Sequence, residues 1–261
     1  MQGSSVRAAC RITGLHKTTA LNLLVLDGER VERYMAKAIR DVPVSDVECD
    51  KVWSYIARKQ RSKRLHNIED PHQGDSYTWI ALERHSKLVL AYHVDRRTNL
   101  AADAFVEKLD RATSGHFAVS TDAFEAYTDS LSYHLGTRTS YGIIRKEFGY
   151  DVEGQRHYAP PALVKSEKAP VYGRPDMDKV GTSRVERWNL SLRTGLKRMS
   201  RLTIAFSRCY RNHRAALSLW IGYYNFVRRH SSIRMAPAMA AGVIRQPWTM
   251  RDLMEAAAPP L

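Results

Sequence analysis

The segment Val47-Glu48-Cys49-Asp50-Lys51-Val52-Trp53-Ser54-Tyr55-Ile56-Ala57 alternates and is rich in Val, Ile, Trp and Tyr, the marks of a β-strand. Asp50 interrupts its apolar pattern. Downstream, Tyr77–Leu82 and Leu88–Val94 read as two further strands joined by a polar turn at Glu83–Lys87. Ala101–Leu109 reads as an amphipathic helix, His116–Ser120 as a short strand running into Thr121-Asp122, and Ala123–Leu131 as a helix. Three strands, a helix, a strand and a helix in that order predict an α/β fold, a mixed sheet with helices packed on it. Residues 59–75 read as a polar loop inserted after the first strand. Residues 136–183, with Pro160, Pro161, Pro170 and Pro175 and Gly154, Gly173 and Gly181, read as an extended, loop-rich segment that packs over a site or clamps a partner. From Ser183 the pattern is helical through Arg201 and again from Phe206 to Val227. Pro237–Ile244, opening on a proline at the favoured first helical position, and Thr249–Ala257 form a helical tail.

Upstream, Asp41–Asp46 carries Pro43 and reads as a linker, and Glu29–Arg40 reads as a helix. Ser4 and Ser5 are candidate caps for a helix over Val6–Ile12, Gly14 supplies a turn, and His16–Leu26 continues as a second helix. Two helices joined by a Gly-bearing turn form a helix-turn-helix-like segment, which would put His16, Lys17, Thr18 and Thr19 at the leading end of a DNA-reading helix. An ordinary α-bundle uses the same pattern. The usual first supporting helix is missing, so the expectation is a chain that begins inside the module. The resulting organisation is a DNA-binding segment over 1–40, a linker over 41–46, a catalytic domain over 47–227 with its insertion at about 136–183, and a tail over 228–261.

The 261 residues carry 41 Lys and Arg against 27 Asp and Glu, a formal charge of +14. With 44% hydrophobic residues the chain can form a core, and no apolar run approaches the ~18 residues of a membrane span. No secretory leader is evident, and Cys10, Cys49 and Cys209 lie far apart without a CxxC pair. A disulfide framework and a zinc ribbon are therefore set aside, and a reducing cytosol is expected. The charge is uneven: residues 184–261 hold fourteen basic groups against three acidic ones. Arg184, Arg187, Arg193, Arg198, Arg201, Arg208, Arg211 and Arg214 dominate it, and the guanidinium fork suits phosphate. A solubilising surface is the plainer reading; the arginine bias makes nucleic acid the leading partner.

Against this background three acids stand out: Asp50 within the first strand, Asp122 at the end of the fourth, and Glu186 almost alone in a basic helix. Singly, each reads best as an ion-pair partner. As an ordered set they are a candidate metal site, because two Asp on adjacent strands and a Glu on a following helix can hold two Mg²⁺ ions about 3.5–4 Å apart. Glu186, Asn189 and Arg193, spaced i, i+3, i+7, share a helix face and form a candidate DNA track.

The D…D…E order, CDKVWSYI (Cys49–Ile56), STDAFEAY (Ser120–Tyr127), ERWNLSLR (Glu186–Arg193) and the tail YYNFVRRHSSIRMAPAMAAGV (Tyr223–Val243) resemble DDE transposases of the insertion sequence 1 family. The likeness spans about residues 6–255. It implies an RNase H-like core that cuts DNA at insertion-sequence ends and joins the 3′-hydroxyl to target DNA. Asp50, Asp122 and Glu186 would be the catalytic and metal-binding residues, using two Mg²⁺ or Mn²⁺ ions. Asn189, Arg193, Lys197, Arg201, Arg228 and His230 would contact DNA. The resemblance also implies at least a homodimer on DNA and a bacterial cytoplasmic, nucleoid-associated location. Asp122 and Glu186 stand 64 positions apart, which matches a longer subgroup, and an N-terminal zinc module is missing. A non-cleaving DNA-binding regulator and an RNase H-like nuclease or resolvase without joining activity remain open.

Overall fold

The computed structural model describes residues 5–149, 162–201 and 203–259. Ser4, Gly154, Pro160 and Pro161 lie outside them. Helix α1 (Val6–Thr13) is capped by Ser5, whose hydroxyl accepts from the Ala8 amide, and ends at Gly14 in the left-handed conformation (φ 71°). Helix α2 (Lys17–Ala38) follows. The predicted boundary near residue 27 does not exist: the stretches read as His16–Leu26 and Glu29–Arg40 are one helix, which His16 caps and which ends at Ala38. Gly28 lies inside it because a Cβ there would stand 2.4 Å from the carbonyl oxygen of Ala215.

Strands β1 (Val42–Pro43) and β5 (Thr113–Ser114) form a minor parallel pair. The main sheet contains β2 (Asp46–Ile56), β3 (Gly74–Glu83), β4 (Val89–Asp95), β6 (Phe117–Asp122), β7 (Thr139–Phe148) and β8 (Leu163–Tyr172), in the order β4-β3-β2-β6-β7-β8. β3 is antiparallel to β2 and β4, while β6 and β7 continue parallel to β2. This mixed sheet flanked by helices is compatible with an RNase H-like fold. Two expectations are corrected. The segment read as a polar loop contains helix α3 (Gln60–Leu65). The segment read as loop-rich contributes β7 and β8, an antiparallel pair that extends the sheet. Pro170 is tolerated because, among the described residues, β8 is an edge strand with no ladder on its outer side.

Helices α4 (Asn99–Ala112) and α5 (Ala126–His134) lie on one face of the sheet; α6 (Ser183–Gly195) and α7 (Tyr210–Gly222) lie on the other. Alternation along β2 separates them. Glu48, Asp50 and Ser54 bond to α6 and α7, whereas Lys51 points at the Tyr127 ring of α5. The helical stretches predicted over 183–201 and 206–227 are shorter than read: α6 stops at Gly195 and α7 starts at Tyr210, with a 3₁₀ turn at Lys197–Met199 between them. α7 runs on through a π-turn, Tyr223–Val227, in which buried Asn225 bonds both the amide (3.0 Å) and the carbonyl (2.9 Å) of Val89. Short α8 (Pro237–Ala240) and α9 (Met250–Ala257), closed by a Thr249/Asp252 capping box, complete the chain. The core joins both faces, from Val31 and Met35 of α2 through Trp79, Phe105 and Tyr127 to Trp188, Trp220 and Phe226. No helix among the described residues is long and apolar enough to cross a membrane.

Candidate active site

The site begins with how β2 holds α6. Thr182, the N-cap of α6, makes no side-chain cap. A buried acid of β2 substitutes for it: Glu48 Oε2 accepts from the amides of Arg184 (2.8 Å) and Val185 (3.0 Å). Two of the helix's orphan donors are thereby satisfied, and a negative charge sits at the positive end of its dipole. Burial raises the Glu48 carboxyl above the usual range and these two amides pull it back down. Two residues along β2 on the same face, Asp50 Oδ2 accepts from Asn189 Nδ2 at 2.7 Å. The helix is therefore fixed to the strand at both its first and second turns, and the orientation of Glu186 follows.

Asp50, Asp122 and Glu186 line one cavity of about 770 Å³. The β2–β6 ladder shows how the first two come there. Its last pair is Glu48 with Ser120, and two residues further on each strand stand Asp50 and Asp122. Each acid already has a partner. Lys51 Nζ reaches both oxygens of Asp122, at 2.7 and 2.6 Å. Lys146 of β7 is ion-paired with Glu186, which also accepts from Thr182 Oγ1 at 2.8 Å. Asp50 has only the Asn189 amide from a side chain. Burial, with repulsion from Asp122 and Glu186, raises its carboxyl to about 6, against the opposing effects of the Lys51 amide and ammonium.

The predicted DNA-contacting residues divide. Lys197, Arg201 and Arg228 are exposed, as are His16, Lys17, Thr18 and Thr19 at the start of α2. His16 also caps α2, its Nδ1 accepting from the Thr18 amide at 3.3 Å. Asn189 is turned onto Asp50. Arg193 is half-buried and donates to the Met199 carbonyl at 3.0 Å, holding the turn after α6. His230 is partly buried, its Nδ1 meeting the Ser232 amide and hydroxyl, and burial lowers its pKa.

Sequence reasoning passed over Lys51, Lys146, Thr182 and Glu48, and also Arg97, which lies over the Phe124 ring at 4.2 Å and lines the cavity with Arg145. Glu48 had a usable signal, since period 2 puts it on the face of Asp50. The lysines had none: their partners are 71 and 40 residues away. A second groove of about 740 Å³, floored by Met35, Ile39 and Leu90 at the β4 edge, contains none of the candidate acids.

As donors for a divalent cation the residues fit by chemistry. All are hard oxygens, and Asn189 Oδ1 is buried beside Asp50 without a hydrogen-bond partner. Among the described residues no three His, Cys, Asp or Glu side chains are closed on a single metal position, because Asp122 and Glu186 are turned onto ammonium groups.

An acid in the middle of β2, a second at the end of the neighbouring β6 and a third on a helix tied to β2 thus share one cavity, an arrangement compatible with a DDE-type nucleic-acid-processing enzyme. The family model described as IS1 transposase matches residues 168–227, from late β8 through α6 and α7 to the π-turn, and suggests a transposase. That segment includes Glu186 and Asn189; Asp50 and Asp122 lie outside it. No curated protein matches the chain.

Proposed function

We propose that this protein is a transposase that cuts DNA at insertion-sequence ends and transfers the freed 3′-hydroxyl into target DNA. The observation that carries the reading is the meeting of Asp50, Asp122 and Glu186 on one cavity, inside a framework in which β2 grips α6 twice. Asp50, Asp122 and Glu186, with the Asn189 oxygen beside them, would hold divalent Mg²⁺ or Mn²⁺, which would lower the pKa of an attacking hydroxyl and stabilise the leaving oxygen. The chain's own residues orient and position. Asn189 fixes the Asp50 carboxylate, Thr182 and Lys146 aim Glu186, and Glu48 sets the angle of the helix that carries it. Arg97, braced on Phe124, and Arg145 give the cavity mouth two guanidinium groups for a phosphodiester. Attack at phosphorus breaks a P–O bond directly, so no Ser or Tyr nucleophile is assigned. Exposed Lys197, Arg201 and Arg228 extend the phosphate track. The α1–Gly14–α2 hairpin is the proposed end-recognition element, leading with Lys17, Thr18 and Thr19. Pairing two ends calls for at least a homodimer, acting on cytoplasmic DNA.

A second reading, a DNA-binding regulator that does not cut, is favoured by one observation: Lys51 and Lys146 already neutralise two of the three acids. End cleavage and strand transfer in Mg²⁺ separate the readings. Asp50→Asn, Asp122→Asn and Glu186→Gln are each expected to lower both steps by at least on the order of a hundredfold while leaving duplex binding within about twofold. Near-normal cleavage by any of the three would remove the triad assignment, and a wild-type chain that binds ends without cutting them would establish the regulator. Cleavage without joining would mark a nuclease.

A further inference from the structure

The β7–β8 hairpin carries an apolar patch to the wall of the candidate site. Phe148 is paired with Leu163 across the ladder, and Val164 follows Leu163 on β8. All three are exposed, Phe148 at 54%, Leu163 at 53% and Val164 at 68%. Single exposed apolar residues are ordinary on a protein surface; a cluster on one hairpin is not. Phe148 and Leu163 both line the cavity shared by Asp50, Asp122 and Glu186. By strand alternation Phe148 lies on the same face of β7 as Lys146, the partner of Glu186. The other ring on this cavity, Phe124, is already engaged by cations, with the Arg97 guanidinium 4.2 Å and Lys51 Nζ 4.7 Å from its centroid.

Charge alone does not draw a nucleotide into this cavity. Asp50, Asp122, Glu147 and Glu186 line it against Arg97, Arg145 and Lys146, and Lys51 stands behind Asp122, so acids and bases balance. A nucleotide, however, has two kinds of surface, an anionic phosphate and the apolar faces of its base. Arg97 and Arg145 suit the first. Phe148 and Leu163 suit the second, because a base face stacks on an aromatic ring whatever its sequence. Within continuous duplex the base faces are covered by their neighbours. Only a base that has left the stack, or lies in a single strand, can offer its face to a side chain. We propose that Phe148, flanked by Leu163, is a stacking platform for an unpaired base beside the phosphodiester, so that the cavity takes DNA with an opened or single-stranded flank in preference to continuous duplex. The inference rests on the reading of this cavity as a DNA site, and it asks nothing of a metal ion.

The test compares two probes on the full-length chain without divalent metal: a blunt duplex, and the same duplex with a short single-stranded extension carrying 2-aminopurine beside the junction. Anisotropy of a distant label gives affinity, and 2-aminopurine emission reports stacking. The wild type is expected to bind the extended duplex at least about fivefold more tightly than the blunt one, and to quench the emission. Phe148→Ala is expected to erase the preference and restore the emission, whereas Phe148→Trp keeps both. Equal affinity of the wild type for the two probes would overturn the proposal while leaving the DNA reading intact, and that comparison stands even where a variant fails to fold. A folded Phe148→Ala chain that kept the preference and the quenching would also overturn it. No binding of either probe by the wild type would remove the DNA reading and the proposal together.

Discussion

Burial and the two acids facing it keep the Asp50 carboxyl protonated to about pH 6, where an exposed aspartate would have ionised near 3.8. The sign of the consequence for stability follows from proton counting. Between about pH 4 and 6 the folded chain holds a proton that the unfolded chain has released, so stability falls as pH rises through that window. Above about 6 the full penalty is present, on the order of 3 kcal/mol at ~1.4 kcal/mol per pKa unit. Asp50→Asn removes the charge and leaves an acceptor for the Asn189 amide. The variant is therefore expected to melt several degrees above the wild type at pH 7.5 without metal, and together with it at pH 4. Thermal denaturation at the two pH values checks this. Equal melting at pH 7.5 would show that the carboxylate is better solvated than its neighbours imply.

Among the elements, α2 shows how a long-range contact overrides local preference. Glycine in a helix interior loses about 1 kcal/mol relative to alanine, so local preference alone argues against a helix running through Gly28. It is instead where α7 crosses closest, a Cβ there falling 2.4 Å from the Ala215 carbonyl and 2.6 Å from its Cα. Because the obstruction is backbone, no rotamer relieves it. Gly28→Ala should therefore destabilise by ~1–3 kcal/mol despite its better propensity, seen as a lower urea midpoint with an unchanged m-value. A raised midpoint would mean that α2 and α7 are further apart. The same contrast marks what was legible elsewhere. β2, β3, β4 and α4 carry their period in a dozen residues, and the sequence alone places them within a few positions. β8 was hidden by a proline that an edge strand accepts, and β7 by its place in the Pro- and Gly-bearing stretch around it. Asp50, Asp122 and Glu186 could be singled out because an acid in a strand, or in a basic helix, breaks a local pattern. Lys51 and Lys146 break none; they matter only through partners brought in by the fold.

Across the whole molecule, seven of the fourteen basic residues after position 183 divide into two sets. Arg211 and Arg214 pair with Glu29 and Glu32, tying α7 to α2. Arg193 and Arg198 donate to the carbonyls of Met199 and Asn212, shaping the turn between α6 and α7. These four are committed to partners within the chain. Lys197, Arg201 and Arg228 are exposed and have no acidic partner among the described ion pairs. If DNA lies along α6 and the turn after it, only the second set releases counterions on binding. Each phosphate contact contributes about −0.9 to the slope of log affinity against log salt. Lys197→Ala and Arg201→Ala are thus expected to flatten that slope by about 1 each, with melting temperatures unchanged. Arg214→Ala should leave the slope alone and lower stability by up to about 1 kcal/mol, the usual range for a pair that solvent still reaches. Duplex binding measured at several salt concentrations, beside a melting curve for each variant, separates the two sets. If Arg214→Ala flattened the slope as much as Arg201→Ala does, DNA would have to reach α7 as well, and the phosphate track would not be confined to α6 and the turn that follows it.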